Sequence, residues 1–278
     1  KLELNQQQHI GTAHHVTLDF YDTPIFYAPY FTFPTDNTRK SGFLFPTLGH
    51  HSQSGTMISV PYYWNMAPNY DSTWTPTLYT RRGLALSTQY RHLGPHSQLE
   101  INTSLMPYDA EFKRFRDATL NAAISDKDLY LDKLKSMHNY RGYLSLTGTT
   151  QLNEHLDASL ILNASSDPYY LNDLSLTPQT SQTNQLLNQA ALHYHSYHWQ
   201  VQSQLQVYQT LHQINQADAF DQYQRLPEID FTGFYNHLPH NAYLTLPGQY
   251  TYFSYPSQFG PSGYFTADKS IGHRLHFR

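Results

Sequence analysis

The sequence of 278 residues contains no cysteine and few charged residues. The absence of cysteine excludes disulfides, thiolate metal ligands and thiol nucleophiles within this chain. Charged residues make up only 14% of the sequence, against about 25% in ordinary soluble domains. The net charge is −4 and no long Lys/Arg cluster occurs, so the chain lacks the basic surface that binds a phosphate backbone and nucleic acid is not an expected partner.

Long apolar runs and catalytic motifs are also missing. No stretch of about 18 apolar residues occurs, which excludes a membrane-spanning helix. The sequence has no G-x-S-x-G, H-E-x-x-H or Gly-rich phosphate loop, so we expect neither an enzyme nor a cofactor. The 17 histidines include His193, His195 and His198, but no carboxylate accompanies them in sequence, and we predict no metal site there.

The sequence is rich in tyrosine, with 24 copies, and its apolar and polar residues alternate. The clearest example is 198–207, where glutamine occupies four successive positions of one parity. A period of two is typical of a strand with one polar and one apolar face. The polar parity consists of Gln200, Gln202, Gln204 and Gln206, and the apolar parity includes Trp199, Val201, Leu205 and Val207.

Similar patterns elsewhere predict an all-β, antiparallel protein of about eleven or twelve strands. Each strand has roughly ten residues, the length that a tilted strand needs to cross a bilayer. Connections alternate between long and short from residue 98 onward, as in outer-membrane barrels with external loops and tight periplasmic turns. The longest connection, 106–140, contains the only helical candidate, 110–137. The other predicted strands are 42–50, 57–64, 71–80, 84–91, 98–105, 141–149, 156–163, 186–194, 228–235 and 242–252.

Three alternatives to a transport barrel compete on the residues alone: a soluble β-domain, and an outer-membrane barrel that is either a porin or a hydrolase. A soluble β-sandwich or lipocalin-like domain that binds carbohydrate would show the same alternation, with the apolar parity in a dry core. Low charge, long strands and excess tyrosine favour the membrane interpretation. A porin would line its lumen with charged residues, and a hydrolase would need a site that no spacing of Asp71, Asp109 or Asp173 selects.

Several segments closely resemble the LptD family of outer-membrane lipopolysaccharide-assembly proteins, also called organic solvent tolerance proteins. The likeness is dense in the first third and continues in order towards the C-terminus. Its most specific block is PYYWNMAPNYD at 61–71. Supporting segments are DTPIFYAPYFTFP at 22–34, TRKSGFLFP at 38–46, TRRG at 80–83, YRHL at 90–93, SDPYYLNDL at 166–174, QRLPE at 224–228 and GHRLH at 272–276.

The resemblance implies a piece of a two-part protein. Residues 1–34 are expected to be the C-terminal end of a periplasmic β-jellyroll, and 35–278 the N-terminal portion of a larger outer-membrane β-barrel. The end of the sequence, 271–278, is expected to begin a further strand. Family members commonly have disulfides between jellyroll and barrel, which this chain lacks.

The resemblance also implies a function and partners. The chain would belong to a translocon that inserts lipopolysaccharide into the outer leaflet of the outer membrane of a Gram-negative bacterium. Its expected partners are lipopolysaccharide, outer-membrane lipids, the plug lipoprotein LptE and a periplasmic bridge protein. The energy would come from an inner-membrane ATPase, since the chain has no nucleotide motif.

Two sets of residues are candidates for this work. Pro46 and Pro61 fall within the first two predicted strands, where a missing N–H removes a ladder hydrogen bond. They could mark bulges or strand ends, whereas the resemblance implies a lateral gate whose seam they weaken. The glutamines at 200–206 could line the lumen and contact cargo or plug, or could simply hydrate a wide channel.

Overall fold

The computed structural model describes residues 2–5, 10–20, 23–35, 38–122, 129–174, 184–213, 222–238, 242–254 and 271–277. These residues form antiparallel strands and three short helices, which confirms the predicted all-β class. None of the described helices is long and apolar enough to cross a membrane.

The N-terminal region forms a small sheet of its own. Its antiparallel strands are β1 (Leu2–Asn5), β2 (Ile10–Phe20) and β3 (Thr23–Pro34). A short linker then leads to the large sheet, and the Phe31 and Phe45 rings lie 5.5 Å apart across this junction. The assignment of residues 1–34 to a jellyroll and of 35–278 to a barrel stays a prediction.

The large sheet has fourteen strands. They are β4 (Gly42–Phe43), β5 (Thr47–His51), β6 (Gly55–Ser59), β7 (Tyr62–Ala67), β8 (Tyr70–Tyr79), β9 (Gly83–Leu93), β10 (Ser97–Met106), β11 (Arg141–Asn153), β12 (Leu156–Ser165), β13 (Gln185–His195), β14 (Trp199–Thr210), β15 (Gln224–Leu238), β16 (Ala242–Ser254) and β17 (Ile271–Phe277).

Sequence neighbours pair antiparallel through most of this sheet, in the order β17 to β8, then β6 and β5. Strand β7 also pairs with β8, and β4 pairs with β7. All the predicted strands are present, and Ile271–Phe277 confirms the expected strand at the end of the sequence. The first two predicted strands differ, because each is divided into two pieces.

The two ends of the large sheet are unlike. Tight turns such as 94–96, 154–155 and 196–198 join strands at the short-turn end, whereas 107–140 and 166–184 join strands at the long-loop end. The predicted alternation of long and short connections is therefore present.

In the turn at the start of β9, Gly83 has a φ of +129°, and a Cβ there would lie 2.9 Å from the Tyr108 carbonyl oxygen.

Three helices lie at the long-loop end. The predicted helix over 110–137 is two helices, α1 (Ala110–Ala122) and α2 (Leu129–Ser136), and 123–128 lies outside the described residues. The third is α3 (Tyr170–Leu174). We call 107–122, 129–140 and 166–174 together the long-loop cap.

The apolar cores of the described chain lie at or beside the long-loop cap rather than inside a closed sandwich. One cluster contains Phe112, Leu134 and Tyr169, all from the cap. In another, Leu174 of α3 packs on a group of buried side chains from the first strands of the large sheet. That group consists of Met57, Tyr79, Ala85 and Met106.

In the large sheet the apolar face is exposed and the polar face is buried, which is the reverse of the arrangement in a soluble protein. In β14, Leu205 is 49% exposed whereas its neighbour Gln204 is only 7% exposed. Strand register places Leu205 beside Ala190 and Gln204 beside Glu228. The outward face carries exposed Leu84, Leu105, Leu144, Leu160, Leu192 and Leu205, and the opposite face carries buried Ser59, Asp71, Thr77, Gln204, Glu228 and Thr251.

The ladder between β12 and β13 stops before the long-loop end. Its last registered pair is Ile161 with Gln189. Beyond this pair, side chains replace the backbone ladder. The Gln209 amide of β14 donates to the Ser165 carbonyl at 2.8 Å and accepts from the Ser165 N–H at 3.0 Å. The Asn188 side chain similarly accepts from the Asn163 N–H at 2.7 Å.

Candidate functional site

The first hairpin of the large sheet, β4 to β7, is interrupted at the two predicted prolines. Residues 44–46 separate β4 from β5, and 60–61 separate β6 from β7. The breaks lie side by side, since the Leu44 N–H donates to the Pro61 carbonyl at 2.8 Å. Pro46 and Pro61 therefore lie at strand ends rather than inside continuous strands, because neither can donate a ladder hydrogen bond.

A third proline, missed from the sequence, continues this line. Pro76 lies in β8, and its carbonyl accepts a hydrogen bond from the Val60 N–H at 3.2 Å. Prolines thus occur at neighbouring positions on three adjacent strands, and each removes one possible donor from the sheet. The 15-residue spacing of Pro46, Pro61 and Pro76 could have revealed the line.

At the short-turn end, a buried carboxylate fixes the linker to the sheet. Asp71 accepts two hydrogen bonds from Arg91 at 2.9 Å and one from Arg39 at 3.1 Å. Arg39 also donates to the Pro68 carbonyl at 2.7 Å, and its own carbonyl accepts from the Asn65 amide at 2.9 Å. Residues of the motif at 61–71 thus hold the chain that leads from the small sheet into β4.

The predicted glutamines lie on the polar face, among other hydrogen-bonding side chains. Gln204 accepts from Gln189 at 2.7 Å and from Gln202 at 3.1 Å. Gln200 is exposed on the same face, whereas the Gln206 Oε1 is buried without a partner in the described structure. The lining of a lumen by these glutamines stays a prediction.

At the long-loop end, two arginines and three aspartates form a buried charge cluster. Arg141 is fully buried and donates to both oxygens of Asp167, at 2.8 and 2.9 Å. The same guanidinium donates to Asp109 at 2.7 Å and to Asp173 at 2.8 Å. Arg82 donates to these two carboxylates at 2.8 and 3.3 Å. The cluster joins four segments that are far apart in sequence.

Asp109 of the charge cluster also organises the cap locally, and Asp173 is perturbed by its burial there. The Asp109 carboxylate accepts from the N–H groups of Glu111 and Phe112, at 3.1 and 2.9 Å, and so caps α1. Burial raises the pKa of Asp173, and the attraction of Arg141 and Arg82 offsets this rise only in part. The cap is therefore held by charges that the surrounding protein keeps from water.

The sequence did not reveal these charged sites. Arg82, Asp167 and Asp173 lie in segments that suggested a family, but their pairing with Asp109 and Arg141 depends on the fold. The usable signal was the rarity of charge, since isolated charges in a neutral polar chain are often paired. Within the described residues, no group of His, Asp or Glu is arranged to hold a metal ion.

Comparison with known proteins gives one consistent result. A family model described as "LPS transport system D" matches residues 139–278, and a model described as "LptD protein" matches residues 12–93. A protein of Coxiella burnetii named LPS-assembly protein LptD is 41% identical over the whole chain. The chain belongs to the LptD family.

More distant LptD relatives agree. Proteins with the same name from Legionella pneumophila strain Lens and Aromatoleum aromaticum are 36% and 32% identical, and the alignments cover 92% and 94% of this chain. The chain spans about a third of its relatives' length, 32% for the Coxiella protein and 30% for the other two. The LptD names describe transport and assembly, in agreement with the prediction that the chain is not an enzyme.

Proposed function

We propose that this chain is part of an outer-membrane translocon of a Gram-negative bacterium that inserts lipopolysaccharide into the outer leaflet. The LptD family models and the relatives named LPS-assembly proteins support this class of cargo. The described region would supply the end of a periplasmic acceptor domain and the first part of a barrel wall.

The inverted sheet is the observation that carries this proposal. An outward face of leucines suits hydrocarbon, and a buried polar face suits a hydrated lumen. Leu205 at 49% exposure beside Gln204 at 7% shows the inversion within one strand. The arrangement argues against the alternative of a soluble carbohydrate-binding domain, which would bury the leucines.

The interrupted first hairpin supports a lateral gate. Amphipathic cargo needs a wet passage for its sugars and an apolar exit for its acyl chains. The hairpin lies at one end of the large sheet, and its ladder is broken beside Pro46 and Pro61. A seam formed by this hairpin would open at a lower cost than a seam with a continuous ladder.

The polar face offers a route and a docking surface for partners. Uncharged side chains such as Gln200, Gln202, Gln204 and Gln206 can hydrogen-bond sugars, or a plug lipoprotein such as LptE, without trapping them ionically. A periplasmic bridge protein would deliver the cargo to the small sheet. The chain itself carries no nucleotide motif, so the energy would come from elsewhere.

Replacing both gate prolines tests the proposal. Pro46→Val together with Pro61→Val restores two N–H donors, so the full-length protein should deliver lipopolysaccharide to the outer leaflet more slowly. The measurement is the rate at which labelled lipopolysaccharide appears on the cell surface. Pro95→Val, in an exposed turn at the short-turn end, is the matched control and should leave the rate unchanged. An unaltered rate in the double variant would contradict the gate.

A further inference from the structure

The charge cluster at the long-loop end reaches beyond the cap to the first hairpin. Ser54, in the turn between β5 and β6, is 3% exposed. Its hydroxyl accepts from the Arg82 Nε at 2.9 Å and lies 3.5 Å from the Asp173 carbonyl oxygen, to which it donates. The same hydroxyl therefore touches both an arginine of the cluster and the helix α3 that belongs to the cap.

We propose that this contact is an outer clamp, in which Arg82 is a positioning residue that couples the first hairpin to the long-loop cap. The clamp would set how readily the outer half of the hairpin, 47–59, swings away from the sheet. The effect of the clamp on lipopolysaccharide delivery rests on the proposed function, whereas the existence of the clamp does not.

Besides the Ser54 hydroxyl, the outer half of the hairpin is attached in the described structure to β8 and to the turn that follows it. The Thr80 N–H donates to the Thr56 carbonyl at 3.0 Å, and the Arg81 N–H donates to the Ser54 carbonyl at 3.3 Å. Strand β6 pairs with β8 at Met57, Ile58 and Ser59, and the Ser59 and Thr77 hydroxyls are 2.8 Å apart. Towards the short-turn end its continuity is lost at the proline breaks, where a ladder would otherwise transmit rigidity. The end of this half at the proline breaks is thus weakened by sequence, and at the other end the Ser54 hydroxyl adds a polar contact with the cap to the attachments to β8 and its turn.

The clamp is rigid on the cap side. Arg82 is 3% exposed, and its NH1 reaches carboxylates on both flanking segments of the cap, those of Asp109 and Asp173. Its carbonyl also accepts from the Ala110 N–H at 2.9 Å, at the first turn of α1. A shift of α1 or α3 would therefore move the Arg82 side chain, and with it the partner of Ser54. The coupling runs through a buried, charge-assisted contact that water cannot easily replace.

The short-turn end of the hairpin has a different kind of attachment. There Asp71 holds Arg39 and Arg91, whose side chains are 56% and 49% exposed, so solvent competes for that contact. This contrast assigns control of the hairpin's movement to its outer end, at the long-loop cap, where the charges are buried. Cargo or a partner that displaces the cap would release the hairpin from that end.

Hydrogen exchange of the full-length protein in detergent micelles tests the clamp directly. Ser54→Ala should speed exchange of the 47–59 amides by about tenfold, because a hydrogen bond to a charged group is lost. Exchange over 110–122 should not change, since the cap keeps its own ion pairs. Ser54→Thr restores the hydroxyl and should return exchange to the original rate. Ser52→Ala removes an exposed hydroxyl from the same turn and is the matched control.

Delivery of labelled lipopolysaccharide by the same variants separates the clamp from a passive contact. Ser54→Ala should deliver faster than the original protein, and Ser54→Thr should not. Unchanged exchange over 47–59, or faster exchange with an unchanged delivery rate, would overturn the proposal. Failure of the original protein to deliver lipopolysaccharide would instead overturn the proposed function, and the exchange comparison would still decide whether the clamp exists.

Discussion

At the scale of single residues, the charge cluster places several of the molecule's few charges where water is excluded. Arg141 and Asp109 are fully buried, and Asp173 has only 14% of its side chain exposed. Burying a charge is unfavourable unless partners compensate, and here every carboxylate of the cluster meets at least one guanidinium. These residues are therefore coupled, and a change in one alters the charge balance of all.

The pH dependence of the cap should reveal Asp173. Its pKa is raised above the ordinary value of 3.8, so the folded state binds a proton more readily than the unfolded state. As the pH falls through the raised pKa, the folded state gains stability relative to an Asp173→Asn variant, and this gain levels off below the ordinary value. Thermal unfolding of both proteins between about pH 7 and pH 4 measures the difference. A constant difference across this range would show that the carboxyl is not perturbed.

At the scale of elements, the cap is an assembly of short pieces that depend on one another. Helix α1 begins at the Asp109 cap, α3 contributes Asp173, and β11 begins with Arg141. The guanidinium of Arg141 also lies 4.3 Å from the centre of the Phe112 ring, which joins the ion pairs to the apolar cluster. None of these helices is long enough to be stable alone.

Removing the central cation should therefore release the cap. Arg141→Met leaves three buried carboxylates with too little positive charge, and we expect a loss of about 3–5 kcal/mol in the free energy of unfolding. Limited proteolysis should then cleave within 107–140 before any strand is cut. Arg114→Met, which removes a guanidinium from the exposed face of α1, should cost less than about 1 kcal/mol. Equal losses in the two variants would mean that burial is not the reason.

The sequence predicted the strands of the large sheet because side-chain parity is a local property. The segment 198–207 shows its two faces in ten consecutive residues, and β14 has those faces. The proline breaks were also visible, although not their alignment with Pro76. The charge cluster was not predictable, because Arg82, Asp109 and Arg141 meet only after the connection 107–140 has folded back towards the turn that holds Arg82.

At the scale of the whole molecule, the arrangement of faces matters more than the size of any core. The buried apolar side chains lie at or beside the cap, while the sheet exposes leucines on one face. A sheet of this kind gains little from burying apolar groups within itself. Its stability must come from the surroundings of its outward face together with the hydrogen bonds of its ladders.

Paired substitutions on β14 test which face meets lipid. Leu205→Arg should cost about 2–4 kcal/mol when the full-length protein folds into phospholipid vesicles, because it places a charge in hydrocarbon. Gln202→Arg, three residues away on the opposite face, should cost much less, since that face is proposed to line a hydrated lumen. Folding yields are read from heat-modifiable gel migration. A greater cost for Gln202→Arg would invert the proposed orientation of the sheet and favour a soluble domain.

Because the Gln209 side-chain amide bridges to Ser165, the continuity of the sheet between β12 and β13 depends on the identity of one residue, which is not true of a backbone ladder. Backbone pairing tolerates almost any side chain, so most point mutations leave a sheet continuous. Here a single substitution at Gln209 would leave the Ser165 N–H and the Ser165 carbonyl without their hydrogen-bond partner. The amino acid at position 209 should consequently vary less among related proteins than the residues of the neighbouring strands.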